Sequence, residues 1–169
     1  MDEVYLRSFG REDLSRIHGW HNDSSLFESL GGAFRFVSIA AEEAWLERAM
    51  SYSSDQISLA ICLRSSGEHI GNVYLKKLDW TARNAEISIF IGSGAHRERG
   101  FGTAAIRLAA EHAFRDLGIS RLYCFILADN KRSVSAFRKC GFVLEGELIK
   151  HAFKAGKFEN VIVMGLCHQ

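Results

Sequence analysis

The pattern of apolar and polar positions predicts a chain that combines strands with helices. Residues 4–9 have a strand-like pattern, and the residues after Gly10 predict a helix. A second helix is predicted from Ser38, because two glutamates follow in a first turn that favours negative charge. Between these helices the stretch 24–37 is ambiguous, since two adjacent glycines interrupt its apolar residues.

The rest of the chain predicts a hairpin, then a strand–helix–strand–helix order, then two final strands. The predicted strands are 57–63, 70–78, 85–91, 121–128, 143–153 and 158–166, and the predicted helices run from Gly102 to Leu117 and from Asn130 to Gly141. Strand 121–128 is nearly all apolar, which predicts a strand covered on both faces. A mixed sheet with helices packed on it fits this order best.

Composition and charge narrow the classes of function. The chain has 169 residues, of which 47% are apolar, and 21 basic residues stand against 20 acidic ones. This length predicts a single domain spanning residues 1–169. The balanced charge argues against a nucleic-acid groove, and the absence of proline excludes Pro-rich linkers.

The N-terminus and the cysteines predict a cytoplasmic protein. Residues 1–7 are charged and lack the apolar segment of a signal peptide, and no apolar run approaches the roughly 20 residues that span a bilayer. The four cysteines form no CxxC pair, so we interpret them as free thiols rather than as a zinc site. His18 and His21 share a helix face but lack a nearby third ligand, so no metal is expected.

The loop from residue 92 to 103 has the composition of an anion site. It lies between a predicted strand and a predicted helix, whose first turn leaves backbone N–H groups unpaired and carries partial positive charge. Gly100 and Gly102 lack the Cβ atoms that would hold an anion away from these donors. Arg97 and Arg99 add positive charge.

Several interpretations of this loop are open. A Walker A loop is excluded, because no lysine follows a suitable glycine. The segment Gly100-x-Gly102-x-x-Ala105 matches the dinucleotide pattern, but eight residues separate Gly100 from Ile91 at the end of the strand. The nearest acidic candidate, Asp129, lies 27 positions beyond Gly102. A glycine-rich turn before an ordinary helix is a third alternative.

The segment Arg97-x-x-Gly100-x-Gly102 also resembles the pyrophosphate motif [RQ]xxGx[GA] of the GNAT acetyltransferase superfamily. A second motif begins at Asn130 and has the form N-x-x-S-x-x-x-F-x-K-x-G-F-x-x-E-G. It resembles the RimJ/RimL-like branch of that superfamily. The resemblance covers roughly residues 5–166, and the two motifs occur in the expected order.

This resemblance implies an α/β (α+β) fold with acetyl-CoA as co-substrate. The expected sheet is mixed and mostly antiparallel, with about seven strands, about four flanking helices and a splayed parallel strand pair. Pantetheine would pair with the edge of the fourth strand, and the pyrophosphate would rest on the backbone amides of residues 99–103. The implied cofactor-binding residues are Ile89, Phe90, Ile91, Arg97, Arg99, Gly100, Phe101, Gly102, Thr103, Asn130, Ser133 and Phe137, the last packing near the acetyl end.

The implied reaction is direct acetyl transfer to a primary amine in a ternary complex. A lysine-like amine has a pKa of about 10.4, so a base must remove a proton. Glu86 is the candidate, because its apolar neighbours would raise the pKa of its carboxyl group, although a glutamate on a solvated strand face is the alternative. Many relatives carry a tyrosine as the acid where this chain has Phe137, which leaves the donor to the thiolate open.

The acceptor is the least defined part of the prediction. A small amine, an amino sugar and a protein N-terminus are all compatible with the resemblance. Residues 156–160 resemble the corresponding region of spermidine N-acetyltransferases, but residues 24–36 offer a polyamine only one carboxylate, Glu28. A non-catalytic acyl-CoA-binding domain is the competing function. The resemblance also allows a homodimer, and it implies neither a nucleic-acid partner nor a membrane.

Overall fold

Seven strands form one mixed sheet in the computed structural model, which describes residues 3–168. The strands are β1 (Val4–Ser8), β2 (Gln56–Leu63), β3 (His69–Asp79), β4 (Asn84–Ile91), β5 (Arg121–Leu127), β6 (Val143–Lys154) and β7 (Lys157–Cys167). The helices are α1 (Leu14–His21), α2 (Ser24–Phe27), α3 (Ile39–Met50), α4 (Phe101–Glu111) and α5 (Lys131–Lys139). The strand order is β1-β2-β3-β4-β5-β7-β6, and β4 and β5 are the parallel pair. The predicted fold class is therefore confirmed.

Side chains cap the starts of two predicted helices. The Ser38 hydroxyl accepts a hydrogen bond from the Ala41 amide at 3.2 Å, and the Asn130 side chain accepts one from the Ser133 amide at 3.1 Å. The ambiguous stretch 24–37 contains one short helix, α2, and is otherwise irregular. This single turn accounts for five helices where about four were expected.

The parallel pair β4–β5 is short. Its ladder joins only Asn84 to Arg121, Ala85 to Leu122 and Glu86 to Tyr123. The rest of β4, from residue 87 to 91, continues past the last of these pairs while staying paired with β3 on its other side. The edge of β4 that faces β5 is therefore open beyond Glu86.

The two faces of the sheet carry separate apolar cores. The larger core packs the sheet against α4 and α5, with Ile87, Ile106 and Phe142 among its buried members. On the opposite face Trp20 of α1 and Leu46 of α3 belong to a second cluster. Among residues 3–168, no helix has both the length and the apolar character of a membrane span.

Strand β5 differs from its prediction. Leu122, Cys124 and Ile126 are buried as expected, but Phe125 on the other face is 41% exposed. That face does not pack against a layer of helices, because it borders an open cavity described below. An apolar run predicted coverage on both faces, whereas on this face Leu127 is buried and Phe125 is accessible.

The end of β4 is held by a close approach that a side chain would prevent. A Cβ atom at Gly92 would lie 2.2 Å from the indole ring of Trp20, so we expect Gly92→Ala to force this packing apart. The free energy of unfolding should fall by about 1–3 kcal/mol, which is typical of overpacking. Urea denaturation followed by fluorescence measures the difference.

The matched control is Gly94→Ala in the same loop, where nothing lies within 4 Å of the added Cβ atom. Its midpoint should stay close to that of the unmodified protein. Equal midpoints for the two variants would contradict the proposed packing constraint.

Candidate functional site

Two cavities adjoin along β4. The first has a volume of about 600 Å³ and is called the helix-end cavity here, because it lies at the N-terminal ends of α4 and α5. The second has a volume of about 870 Å³ and is called the aromatic cavity, since Trp45, Tyr74 and Phe125 line it. Ile89 and Phe90 line both, so a ligand in one can reach a ligand in the other across the open half of β4.

The first turn of α4 has the geometry expected of an anion site. Gly100 precedes the helix in the left-handed conformation with φ +85°, which glycine adopts without strain. Among residues 3–168, no side chain caps this helix end. Gly102 and Thr103 line the helix-end cavity, so the unpaired amides of this turn lie at its wall.

Arg97 fastens the loop before α4 to the end of β4. Its Nε donates to the carbonyl of Ile91 and its Nη2 to the carbonyl of Gly92, both at 3.1 Å. The residue also lines the helix-end cavity. Arg97 therefore combines a structural role in the loop with positive charge at the cavity wall.

Three basic residues of α5 also line the helix-end cavity. They are Lys131, Arg132 and Lys139. Arg132 forms an ion pair with Glu98 of the loop before α4, which bridges the two sides of the cavity. These side chains give the opening a basic rim, which suits a phosphorylated ligand.

Asn130 joins α5 to the segment after α2. Its side-chain oxygen caps α5, while its Nδ2 donates to the carbonyl of Ser29 at 2.9 Å. Both Asn130 and Ser133 line the helix-end cavity, as do Ile89, Phe90 and Ile91. The structure thus brings together most of the predicted cofactor-binding residues.

Three of the predicted residues, Arg99, Phe101 and Phe137, do not line either cavity. Phe137 is 2% exposed, and its ring centre lies 4.9 Å from that of Phe142 in the main core. It lies on the buried face of α5 with Val134 and does not border the helix-end cavity, so its place near an acetyl group stays a prediction. Phe101 is also buried, and the Arg99 guanidinium lies over its ring at 5.2 Å.

Glu86 lies at the wall of the aromatic cavity with two lysines on its carboxylate. Lys76 Nζ is 3.0 Å from one oxygen and Lys77 Nζ is 2.8 Å from the other, and Glu86 is 8% exposed. Burial is the largest single influence and raises its pKa, but the hydrogen bonds and charges of the two lysines outweigh it. The net pKa is lowered, which corrects the expectation that burial would raise it.

A β-bulge makes this double contact feasible. Neighbouring residues of a strand normally point to opposite faces, so Lys76 and Lys77 should not share a partner. The register between β3 and β4 shifts between Lys76 and Asp79, and Lys77 has a φ of +52°. This irregularity turns Lys77 toward the carboxylate that already faces Lys76.

Most of the polar wall of the aromatic cavity was not predicted from the sequence. His21 lines it and places its Nδ1 2.9 Å from both carboxylate oxygens of buried Glu42. Lys76 could have been found from the hairpin register, since it pairs directly with Glu86. Lys77 could not, because the pattern of a regular strand places it on the other face.

The two histidines considered as metal ligands are committed elsewhere. His18 Nε2 lies 2.9 Å from the carbonyl of Val37, and His21 faces Glu42. Within residues 3–168, no group of three or more His, Cys, Asp or Glu side chains is arranged around a common metal position.

Comparison with known proteins gives consistent results. Residues 3–143 match the family described as acetyltransferase (GNAT) domain. The chain is 31% identical over 164 residues to spermidine N(1)-acetyltransferase from Escherichia coli K12, which covers 95% of this chain and 84% of the relative.

Solved structures show the same fold. The crystal structure of spermidine N-acetyltransferase from Vibrio cholerae in complex with CoA and spermine has a TM-score of 0.91 at 24% identity, covering 99% of this chain and 96% of that one. A dodecameric structure of the Vibrio cholerae enzyme in an intermediate state has a TM-score of 0.82 at 24% identity, covering 99% and 95%. At this identity the likeness concerns the fold.

The pair of lysines on Glu86 leads to a prediction about its titration. Removing one ammonium with Lys77→Met should raise the pKa of Glu86, because burial continues to disfavour the charged form while one opposing contact is lost. The carboxyl carbon of Glu86, followed by NMR from about pH 3 to 8, reports this change. Lys157→Met removes an ammonium that is paired with Glu159 and should leave the titration of Glu86 unchanged.

The sign of the linked stability follows from the lowered pKa. In the unmodified protein the ionised carboxylate stabilises the folded state above its ordinary pKa of 4.5, and this stabilisation is lost as the pH falls through the lowered value. In Lys77→Met, where the pKa of Glu86 is expected to be higher, this stabilisation should be smaller and should be lost at a higher pH. An unchanged titration in Lys77→Met would show that the contact does not persist in solution.

Proposed function

The chain belongs to the GNAT acetyltransferase family, and we propose that its two cavities hold the two substrates of one acetyl transfer. It is an N-acetyltransferase that uses acetyl-CoA as co-substrate and a primary amine as acceptor. In the proposed arrangement acetyl-CoA occupies the helix-end cavity and the amine enters the aromatic cavity. The observation that carries this proposal is the wall shared by the cavities at Ile89 and Phe90, where a thioester and an amine can meet.

The proposed seat of the pyrophosphate is the first turn of α4. The amides of residues 99–103 would donate to it, with Phe101 contributing through its backbone alone and Arg97 supplying charge. The pantetheine amides would pair with the open edge of β4 at residues 89–91, as an added strand does. Asn130 and Ser133 would border the pantetheine on the other side.

The reaction needs one nucleophilic attack and two proton movements. The neutral amine nitrogen attacks the thioester carbonyl, a C–N bond forms, the C–S bond breaks, and the products are an acetamide and coenzyme A. We propose that Glu86 accepts the proton lost by the amine, through a water molecule. The leaving thiolate, whose conjugate thiol has a pKa of about 8.5, takes a proton from water. Phe137 cannot supply this proton, because its side chain has no acidic group and is buried in the core.

The contacts with the two lysines are compatible with Glu86 acting as the base. The lysines lower the pKa of Glu86, so its carboxyl group is ionised at neutral pH. Each carboxylate oxygen has two lone pairs, so an oxygen that holds one ammonium can still accept a proton or a water hydrogen. A weakly basic carboxylate suffices for an amine that becomes strongly acidic once its nitrogen has attacked the carbonyl.

Finer assignments follow the same proposal. The motif from Asn130 to Gly146 supports a place in the RimJ/RimL-like branch, with residues 1–169 acting as one acetyltransferase domain. We place the enzyme in the reducing cytoplasm, which is consistent with free cysteines at Cys62 and Cys124.

Self-association is part of the proposal. The outer strand β6 exposes Val143 by 61%, Leu144 by 60% and Ile149 by 70%. Exposed apolar residues on an edge strand favour pairing with another chain, and a second copy is the partner we propose. The dodecameric relative supports assembly in this family.

The cofactor seat can be tested by thermal unfolding. Coenzyme A should raise the melting temperature while NADH should not, because only a ligand of the folded state stabilises it. Gly102→Asp should abolish the effect by placing a carboxylate at the proposed pyrophosphate position, with a loss of about tenfold or more in affinity. An acidic residue in the first turn suits the helix itself, so folding is preserved.

The control for charge is Gly94→Asp in the same loop, outside the cavity lining. It should respond to coenzyme A like the unmodified chain. Stabilisation by NADH, or an undiminished response of Gly102→Asp to coenzyme A, would contradict the proposed seat.

The role of Glu86 can be tested through the pH dependence of turnover. Glu86→Gln should lower kcat/KM at pH 7 by on the order of a hundredfold or more, as expected for loss of a general base. The deficit should shrink at high pH, where hydroxide can take the proton that the variant no longer accepts. Release of the coenzyme A thiol measures the rate.

Glu159→Gln is the matched control, since Glu159 lies on β7 outside the lining of the aromatic cavity. It should leave the rate unchanged. A Glu86→Gln enzyme with full activity, or with a deficit independent of pH, would show that Glu86 is not the base.

A further inference from the structure

The ammonium of Lys77 contacts two groups of the aromatic cavity that would otherwise be able to bind an ammonium of the substrate. Its Nζ lies 2.8 Å from a carboxylate oxygen of Glu86 and 5.8 Å from the ring centre of Phe125. A carboxylate and an aromatic face are the usual partners of an ammonium. Both line the aromatic cavity, and both are already in contact with a cation of the chain itself.

Positive charge exceeds negative charge around this cavity. Among the residues of 3–168 that line it, Glu86 is the one carboxylate, and it faces both Lys76 and Lys77. A third cation approaches from β6, where the Lys154 ammonium donates to the carbonyl of Gly32 at the cavity wall at 2.6 Å. A substrate with several ammonium groups would enter an environment that repels it.

The aromatic walls do not offset this repulsion of a polycation. An ammonium that leaves water loses strong hydration, and contact with an aromatic face recovers only part of that free energy unless a carboxylate also binds the ammonium. The same walls do suit a flat apolar group. Trp45, Tyr74 and Phe153 come from three different elements and surround a volume that can hold a ring.

We propose that Lys77 is a specificity-determining residue that disfavours polyamines, and that the preferred acceptor is a primary monoamine with an aromatic or apolar body. This inference rests on the proposed function. It separates the chain from relatives whose names specify spermidine. The β-bulge that turns Lys77 toward Glu86 is the local feature responsible.

The test compares 2-phenylethylamine with spermidine as acceptors. The unmodified enzyme should have a kcat/KM for 2-phenylethylamine about tenfold or more above that for spermidine. In Lys77→Met the ratio should shift toward spermidine by about tenfold or more, because Glu86 and the face of Phe125 become available to a substrate ammonium. The ratio is the readout because a change in Glu86 as a base affects both acceptors alike.

Lys77→Gln provides a second, polar variant, and it should shift the ratio in the same direction. Lys157→Met, outside the cavity lining, should leave the ratio unchanged. A preference of the unmodified enzyme for spermidine would overturn the acceptor class. An unchanged ratio in both Lys77 variants would overturn the role of Lys77.

Calorimetric binding of the two amines to the protein saturated with coenzyme A separates this inference from the proposed function. Selective binding of 2-phenylethylamine without any turnover would support the inference and contradict the enzymatic proposal. Efficient turnover of spermidine in preference to the monoamine would do the reverse. Binding of neither amine would contradict the proposed acceptor class.

Discussion

The short parallel ladder between β4 and β5 is the constraint on which both cavities depend. It ends at the pair Glu86–Tyr123, and beyond this point β4 keeps its antiparallel neighbour but opens toward the helix-end cavity. Had the ladder continued, the edge at residues 89–91 would be paired and closed to a ligand. The candidate base stands at the last pair, where the strands begin to separate. Binding surface and chemistry therefore originate at the same position in the sheet.

Because β4 and β5 are not hydrogen-bonded beyond Glu86, other contacts hold the end of β4 in place. Arg97 donates to two carbonyls at the end of β4, and Asn130 donates to the segment after α2 while capping α5. Trp20 packs against Gly92 so closely that a Cβ atom there would overlap the indole. These contacts hold the open edge in place, so several residues of the candidate site stabilise its shape as well as bordering its ligand.

The sequence predicted what depends on local rules and missed what depends on the separation of the strands. Ser38 and Asn130 act as caps because capping needs only a side chain and the next turn. The exposure of Phe125 could not be predicted, since an apolar run looks the same whether its second face meets a helix or a cavity. The inward direction of Phe137 follows from the rotation of α5, which the motif alone did not determine. The pKa direction of Glu86 was missed because it depends on two cations from the neighbouring strand.

In the proposed arrangement the bulge at Lys77 is the feature by which this fold would discriminate between acceptors. In the proposed arrangement the open edge of β4 and the first turn of α4 bind the acyl donor, and both are formed by backbone geometry. The acceptor side is set by side chains, and here a left-handed residue in β3 brings a second ammonium onto a carboxylate that one lysine already holds. Such a conformation is strained for a residue other than glycine, and strained residues persist where the surrounding contacts compensate for them. The ion pair with Glu86 and the contact with Phe125 accompany this conformation, and in the proposed arrangement they change the charge that an incoming amine would meet.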